Sequence, residues 1–221
     1  MFFERREMLA PGIWQYFFRS EEPLDFVPGQ YASLHLPGVM HDPRGSARTF
    51  SLTSLPGTSC LSFVVKHFDL QTPYKHRLQA LHPNEPARLD HAMGDLVLPK
   101  HAGTPLVFVA GGIGIASFIS MFQKLIEQRE ERPIFLYYSL RSSREHIFRN
   151  ITDSYPLQLK QVILAPNRLR AQEIKDTTPP NALIYLSGSQ RFVEGIHADL
   201  TRLGTPHEHI IFDYFDGYTQ L

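Results

Sequence analysis

The sequence predicts two domains of different class. Residues 1–101 are predicted to form an antiparallel Greek-key β-barrel, and residues 102–221 an α/β domain with a parallel sheet. Three observations lead to this prediction. The chain has 221 residues, enough for two domains of about 100 residues each. Short β-type runs separated by Pro and Gly fill the first part, and strands alternate with helical patterns after about residue 104.

The N-terminal part is typical of an antiparallel barrel because its apolar runs are short and no long helix separates them. One helix is predicted over residues 73–81, where Thr72 supplies the N-cap and Pro73 suits the first helical position. The predicted strands cover residues 1–9, 12–20, 30–36, 47–54, 60–68 and 85–92.

The C-terminal part has the alternation expected of a parallel sheet that is covered on both faces. Its strands are nearly continuous apolar runs, as in sheets buried on both sides. Apolar residues recur at helical spacing from Ile115 until Pro133 ends the pattern. Strands are predicted over 104–110, 133–140, 158–165, 182–188 and 209–215, and helices over 115–132, 142–150 and 191–203.

Composition excludes several classes of function. The chain carries 22 Lys and Arg against 22 Asp and Glu, with ten of each sign in residues 1–100, so neither half has the basic excess of a nucleic-acid or membrane binder. Cys60 is the only cysteine, which excludes an internal disulfide and a cysteine-held cluster. The charged start and the lack of an apolar leader predict a cytoplasmic protein. His207 and His209 flank Glu208, but we expect a solvated surface there and no metal.

A glycine cluster, GGIGIAS at 111–117, follows a predicted buried strand and opens an amphipathic helix. Glycines let a ligand approach the backbone, and a helix N-terminus offers free N–H groups to phosphate. This is where an open α/β sheet binds a dinucleotide. The spacing differs from G-x-G-x-x-G, so a tight turn that needs small residues explains the cluster about equally well.

A second motif, Arg48-Thr49-Phe50-Ser51, lies on a predicted barrel strand. The guanidinium suits a pyrophosphate, the ring can pack on a flavin, and the hydroxyl can bond a ring nitrogen. Taken alone, the motif also fits an ordinary strand with a surface arginine.

The order of the motifs along the chain distinguishes these alternatives. PGQY (28–31), RTFS (48–51), VVK (64–66), MGDLVLP (93–99), GGIGIAS (111–117), YYSLRSS (137–143), YLSGSQRFV (185–193) and FDYFDGY (212–218) follow one another. In this order the chain closely resembles the ferredoxin–NADP⁺ reductase superfamily of flavoproteins over nearly its whole length. The resemblance implies a flavin-binding barrel followed by a nicotinamide-nucleotide domain, with FAD and NADPH or NADH as cofactors.

The resemblance also implies roles for individual residues. Ser51 would meet the flavin N5 atom, and Ser187 and Asp213 would act with it in the catalytic site. The residues implied to bind the cofactors are Arg48, Thr49, Phe50, Ser51, Val65, Lys66, Thr72, Gly94, Gly111, Gly112, Gly114, Ile115, Arg141, Arg144, Gly188, Phe215 and Tyr218. Arg141, Arg144, Arg168 and Arg170 are candidates for a 2′-phosphate site and favour NADPH.

Several positions depart from the family pattern. Phe50 replaces a Tyr, Ser117 a Pro, Ser187 a Cys and Asp213 a Glu, and the glycine-rich turn before the 73–81 helix is missing. Three functions are therefore weighed. The first is an FAD-dependent NAD(P)H reductase that serves a ferredoxin, a flavodoxin or an oxygenase component. The second is an NAD(P)H:flavin reductase whose flavin is an exchangeable substrate, and the third is a redox-inactive regulatory subunit.

Overall fold

The N-terminal half consists of two three-stranded antiparallel sheets. The computed structural model describes residues 1–67 and 72–215. One sheet has the order β1-β2-β5 and the other β4-β3-β6. The elements are β1 (Phe2–Ala10), β2 (Ile13–Arg19), β3 (Tyr31–His35), β4 (Ala47–Ser51), β5 (Cys60–Lys66), α1 (Pro73–Gln79) and β6 (Arg88–Leu89).

These two sheets share one aromatic core. Tyr16, Phe18 and Phe63 are fully buried in it, and the ring centroids of Tyr16 and Phe63 lie 5.9 Å apart in a stacked pair. Alternation along β2 places Tyr16 and Phe18 inward and leaves Arg19 exposed at the end of the strand. Helix α1 closes the core with Tyr74 and Leu78, and Thr72 caps its first turn as predicted.

The C-terminal half is a five-stranded parallel sheet with the strand order β11-β10-β7-β8-β9. Two apolar clusters cover its faces, one built around Phe108, Phe118 and Phe122 and the other around Tyr137 and Ile184. The elements are β7 (Leu106–Gly111), α2 (Ala116–Glu127), β8 (Ile134–Leu140), α3 (Arg149–Asp153), β9 (Leu159–Leu164), α4 (Ala171–Thr177), β10 (Leu183–Ser189), α5 (Gln190–Arg202) and β11 (Ile210–Phe215).

The predicted fold class is confirmed, and the differences are local. The helix predicted over 142–150 is wrong: a 3-10 turn, Ser143–Glu145, and the short α3 replace it. Phe148 has a left-handed backbone with φ of 57°, which breaks any helix that would join them. Helix α4 was not predicted, and the strand expected over 85–92 is only two residues long. The predicted domain boundary at 101/102 falls in the connection between β6 and β7.

Polar contacts join the two halves. The Gly29 N–H donates to Ser120 Oγ at 2.9 Å, and Tyr185 Oη donates to the Val97 carbonyl at 2.8 Å. Lys66, at the end of β5, forms an ion pair with Glu145 at 2.6 Å. The ends of the two sheets therefore meet at one junction. No helix within residues 1–67 and 72–215 is long and apolar enough to cross a membrane.

Candidate functional site

The parallel sheet reverses its direction of growth between β7 and β10. The chain adds β8 and β9 on one side of β7, then crosses back to add β10 and β11 on the other. The connections that leave the carboxyl ends of β7 and β10 run to opposite sides, which opens a crevice of the kind where α/β sheets bind ligands. Gly111 ends β7 there, and Ser187 and Gly188 lie near the end of β10.

The glycines of the 111–117 motif have three different surroundings. A Cβ on Gly114 would lie 2.2 Å from the Ser187 carbonyl oxygen, and one on Gly111 would lie 2.7 Å from the Phe192 ring. Both glycines are therefore required by protein packing. Gly112 has φ of +55° and nothing within 4 Å of its Cβ position, so only this one leaves open space. The segment then continues through a 3-10 turn into α2, without a side-chain cap, and this arrangement fits a phosphate.

Three buried serines connect the halves at this crevice. Ser51 Oγ, from β4, lies 2.9 Å from Ser117 Oγ at the start of α2. Ser117 Oγ in turn lies 3.0 Å from Ser187 Oγ on β10. Ser51 is 4% exposed, and Ser117 and Ser187 are fully buried. The two hydroxyls predicted as catalytic are thus brought together through a third. We call Ser51, Ser117 and Ser187 the serine bridge.

The Phe50 ring lies on the same strand as Ser51 and is half-buried. Its centroid is 4.4 Å from that of Phe63 in a stacked arrangement. Burial raises the pKa of nearby Tyr74 far above its ordinary value, so its hydroxyl stays protonated and donates to the Leu34 carbonyl at 2.9 Å. The Phe50 ring, next to the buried Ser51 hydroxyl, fits the ring system of a flavin.

The phosphate end of a flavin nucleotide does not fit in the same way. The Arg48 guanidinium is bound to the Asp42 carboxylate at 2.6 Å, and it also donates to the carbonyls of Arg44, Gly45 and Ala47. The Asp42 side chain is 1% exposed. A carboxylate of the chain itself therefore holds the arginine predicted to meet the pyrophosphate.

A cavity of about 510 Å³ opens at the carboxyl ends of β8 and β10. Exposed Arg141, Arg168 and Arg191 line it, together with Ser139 and Phe192. Arg141 and Arg168 were predicted for a 2′-phosphate site. Arg144 and Arg170 are not among the described residues that line this cavity, and Arg170 pairs with Glu173 at 2.9 Å.

The other predicted site residues have different surroundings. Val65 and Ile115 are buried in the cores, and Gly94 packs against the Tyr31 ring. Asp213 pairs in register with Ser187, and β11 ends at Phe215. Tyr218 lies outside the described residues. The remaining placements are the exposed Thr49 beside Ser33, Lys66 in its ion pair with Glu145, Thr72 at the N-cap of α1, and Gly188 against Phe192.

Sequence reasoning missed four residues at this site: Asp42, Ser117 as a hydroxyl bridge, Arg191 and Phe192. Ser117 carried a signal, since it stood where the family has Pro. The others depend on contacts between residues far apart in the chain, which spacing does not reveal.

Comparisons with known proteins bear on the fold and on part of the C-terminal half. Residues 108–177 match the family model described as oxidoreductase NAD-binding domain. The chain is 26% identical over 212 residues to the ferredoxin–NAD(P)⁺ reductase component of the naphthalene 1,2-dioxygenase system of Pseudomonas putida, covering 89% of this chain and 62% of that protein. It spans about half the length of its flavohemoprotein relatives from Bacillus cereus, 53% and 54%, at 26% identity.

Solved structures have the same fold. Ferredoxin–NADP⁺ reductase from Plasmodium falciparum superposes with a TM-score of 0.81 at 15% identity, covering 97% of this chain and 94% of that one. The flavohemoglobin of Malassezia yamatoensis, solved with bound FAD and heme, gives 0.80 at 19% identity and covers 97% and 59%. The resemblance to the ferredoxin–NADP⁺ reductase superfamily is therefore confirmed for the fold, and the match to the oxidoreductase NAD-binding domain extends over residues 108–177.

Proposed function

We propose that this chain, which has the fold of the ferredoxin–NADP⁺ reductases, is a flavin-dependent NAD(P)H oxidoreductase that passes electrons to a separate acceptor. The observation that supports it best is the serine bridge. It joins the strand that would hold the flavin ring to the crevice that would hold the nicotinamide, through contacts of 2.9 and 3.0 Å. Such a joint fixes the relative position of two reacting rings, and hydride transfer depends on that position.

The residues of the chain would divide the work as follows. Phe50 would pack on the flavin ring, and Ser51 would direct its hydroxyl at N5. Gly112 and the start of α2 would receive the nicotinamide nucleotide phosphates. When bound, the flavin supplies the hydride acceptor and can release the two electrons one at a time. The polarity of the serine bridge matters. If Ser187 donates to Ser117 and Ser117 to Ser51, the Ser51 proton stays available for N5.

NADPH is the cofactor that the cavity favours. Three guanidiniums, those of Arg141, Arg168 and Arg191, line a space at the edge where the adenosine end of a dinucleotide would lie. Guanidinium groups recognise phosphate well, and NADH has no 2′-phosphate for them to bind. One carboxylate, Asp199, also lines the cavity, but it is paired with Arg202 at 2.7 Å.

The acceptor is proposed from the relatives. The Pseudomonas putida protein is named as the reductase component of a dioxygenase system, and the Plasmodium falciparum structure is of a ferredoxin reductase. A ferredoxin or an oxygenase component is therefore the acceptor class to test first.

The test is anaerobic reduction of the FAD-loaded protein by NADPH, followed in a stopped-flow spectrometer. We expect the visible flavin absorption to bleach. Ser51→Ala should keep its flavin and slow the bleaching about a hundredfold, because a donor aimed at the reacting atom is lost. Ser33→Ala, on the neighbouring strand, is the matched control. An unchanged rate in Ser51→Ala would remove Ser51 from the mechanism, and an inert flavin-loaded protein would favour a regulatory subunit.

A second candidate function is an NAD(P)H:flavin reductase, in which flavin is an exchangeable substrate. The pairing of Arg48 with Asp42 favours it, because the nucleotide then lacks its main phosphate partner. Desalting distinguishes the two candidates. A protein that becomes colourless, yet oxidises NADPH when free flavin is added, is a flavin reductase.

A further inference from the structure

Asp42 faces inward from an otherwise exposed turn, residues 40–46. The turn lies between β3 and β4, and its exposed members include His41, Pro43, Arg44 and Gly45. The Gly45 N–H donates to the Asp42 carbonyl at 2.9 Å, which closes the turn. The Asp42 carboxylate points into the protein, with 1% of its side chain exposed. A buried carboxylate in a water-exposed turn requires strong partners.

Those partners are donors that also suit a phosphate. Asp42 accepts from the Arg48 guanidinium at 2.6 Å, from the Arg44 N–H at 3.0 Å and from the Tyr74 N–H at 3.0 Å. Burial opposes its ionisation, but these hydrogen bonds outweigh burial and hold the pKa of Asp42 below its ordinary value. The carboxylate is therefore ionised and fully engaged at neutral pH.

Three basic side chains, those of Arg44, Arg48 and Lys75, lie near Asp42. Burial, together with the charges of Arg44 and Arg48, lowers the pKa of Lys75 to about 8. These three cations thus lie close enough to influence one another. A phosphate, which can carry more than one negative charge, suits such a cluster of cations.

We propose that Asp42 is a built-in competitor for the phosphate groups of flavin nucleotides. This inference rests on the proposed function, in which Arg48 belongs to the flavin site. The Asp42 carboxylate and a flavin phosphate require the same guanidinium, so the phosphate binds Arg48 only after Asp42 has left it. Because its flanking residues are exposed, the turn can release Asp42 into water. The affinity of the protein for flavin nucleotides consequently comes mainly from contacts with the flavin ring, and the phosphates add little to it.

The test compares dissociation constants for riboflavin, FMN and FAD, measured by quenching of flavin fluorescence. In the unchanged protein the three values should agree within about threefold, since each phosphate contact costs the Asp42 contact. Asp42→Asn keeps the shape and an acceptor for the Tyr74 N–H but removes the competing charge. It should tighten FMN and FAD binding about tenfold and leave riboflavin unchanged.

Three further variants separate the explanations. Asp42→Glu retains a carboxylate and should give no gain. Asp42→Asn combined with Arg48→Ala should lose the gain, because the phosphate then has no guanidinium to bind. Asp25→Asn, an exposed carboxylate of the same half, is the control for a change of net charge.

Two results would overturn the inference. One is an FMN preference of more than about tenfold over riboflavin in the unchanged protein, a measurement that does not depend on any variant folding. The other is an Asp42→Asn protein whose dissociation constants for all three flavins change by the same factor, which would make Asp42 a structural support. If none of the three flavins binds to the unchanged protein, the proposed function itself is wrong, and this inference with it.

Discussion

Ser117→Ala is the most direct test of the serine bridge. Ser117 is the middle member, and its hydroxyl contacts both Ser51 and Ser187. Replacing it with Ala removes one oxygen and leaves two buried hydroxyls that have each lost a partner. The helix itself should not be harmed, because Ala is the best helix former.

The expected cost follows from the burial of the bridge. An unsatisfied buried hydroxyl costs about 1–3 kcal/mol, and here two hydroxyls are affected, with 4% and 0% exposure for Ser51 and Ser187. Partial rotation toward other acceptors reduces the sum, so we expect a loss of about 2 kcal/mol in the free energy of unfolding. For a chain of this length that corresponds to a fall in Tm of about 5 °C.

The kinetic effect should be selective. Without Ser117 the Ser51 hydroxyl is no longer held in one orientation, so NADPH-dependent flavin reduction should slow about tenfold. The dissociation constant for NADPH should not change, because the Ser117 side chain is fully buried and the substitution keeps the backbone N–H groups at the start of α2. Stopped-flow reduction over a range of NADPH concentrations separates the rate from the affinity.

Ser120→Ala is the matched control. Ser120 lies one turn further along α2, is equally buried, and also joins the two halves, by accepting from the Gly29 N–H. It should lower Tm but leave the reduction rate unchanged. If both variants slow reduction equally, the effect is general loosening of the junction. If Ser117→Ala keeps the full rate, the bridge has no part in positioning Ser51.

Three other substitutions probe the cavity, the cation cluster and the glycine motif. Arg191→Ala should raise KM for NADPH about tenfold and KM for NADH less than about twofold. Arg170→Ala is the control. Equal effects on both nucleotides would refute a 2′-phosphate site. Lys75 is protonated more readily in the unfolded chain, so the free energy of unfolding should rise with pH from about 8 toward 10.5. The rise should be about 2 kcal/mol larger than in Lys75→Met, as measured by chemical denaturation. If the two proteins show the same pH dependence, the lowered pKa is contradicted. Gly114→Ala would bring a Cβ to 2.2 Å from a backbone carbonyl of β10 and should cost about 3 kcal/mol in the same assay, whereas Gly195→Ala, which has open space in α5, should be neutral or stabilising.

Local patterns predicted the fold well because each element carries its own signal. The apolar runs that become β7 and β8 are continuous and short, and the period of α2 extends over twelve residues. The helix prediction for the segment after β8 failed because the Ser142 hydroxyl accepts from the nearby Arg144 N–H, which favours a turn, and because Phe148 takes a left-handed conformation. Helix α4 has only seven residues, too few for a clear period.

The candidate site was only partly predictable for a different reason. Ser51 and Ser187 were predicted, but the bridge between them depends on residues 66 and 70 positions apart in the chain meeting at one point. The same holds for Asp42, whose contact with the Tyr74 N–H spans 32 positions. A motif indicates which chemistry a residue can perform. Packing determines which neighbour forms hydrogen bonds with that residue in the ligand-free chain.

The two ends of the proposed flavin site therefore differ in how far they are preorganised for a ligand. At the ring end the serine bridge is assembled without any ligand, and little reorganisation remains for binding to drive. At the phosphate end, three cations would repel one another if Asp42 were absent, so the carboxylate that competes with ligand also stabilises the ligand-free fold. Asp42→Asn should consequently be less stable than the unchanged protein without flavin, yet gain more stability from FMN. Thermal unfolding with and without FMN tests this coupling, because a purely structural Asp42 would lower Tm by the same amount in both conditions.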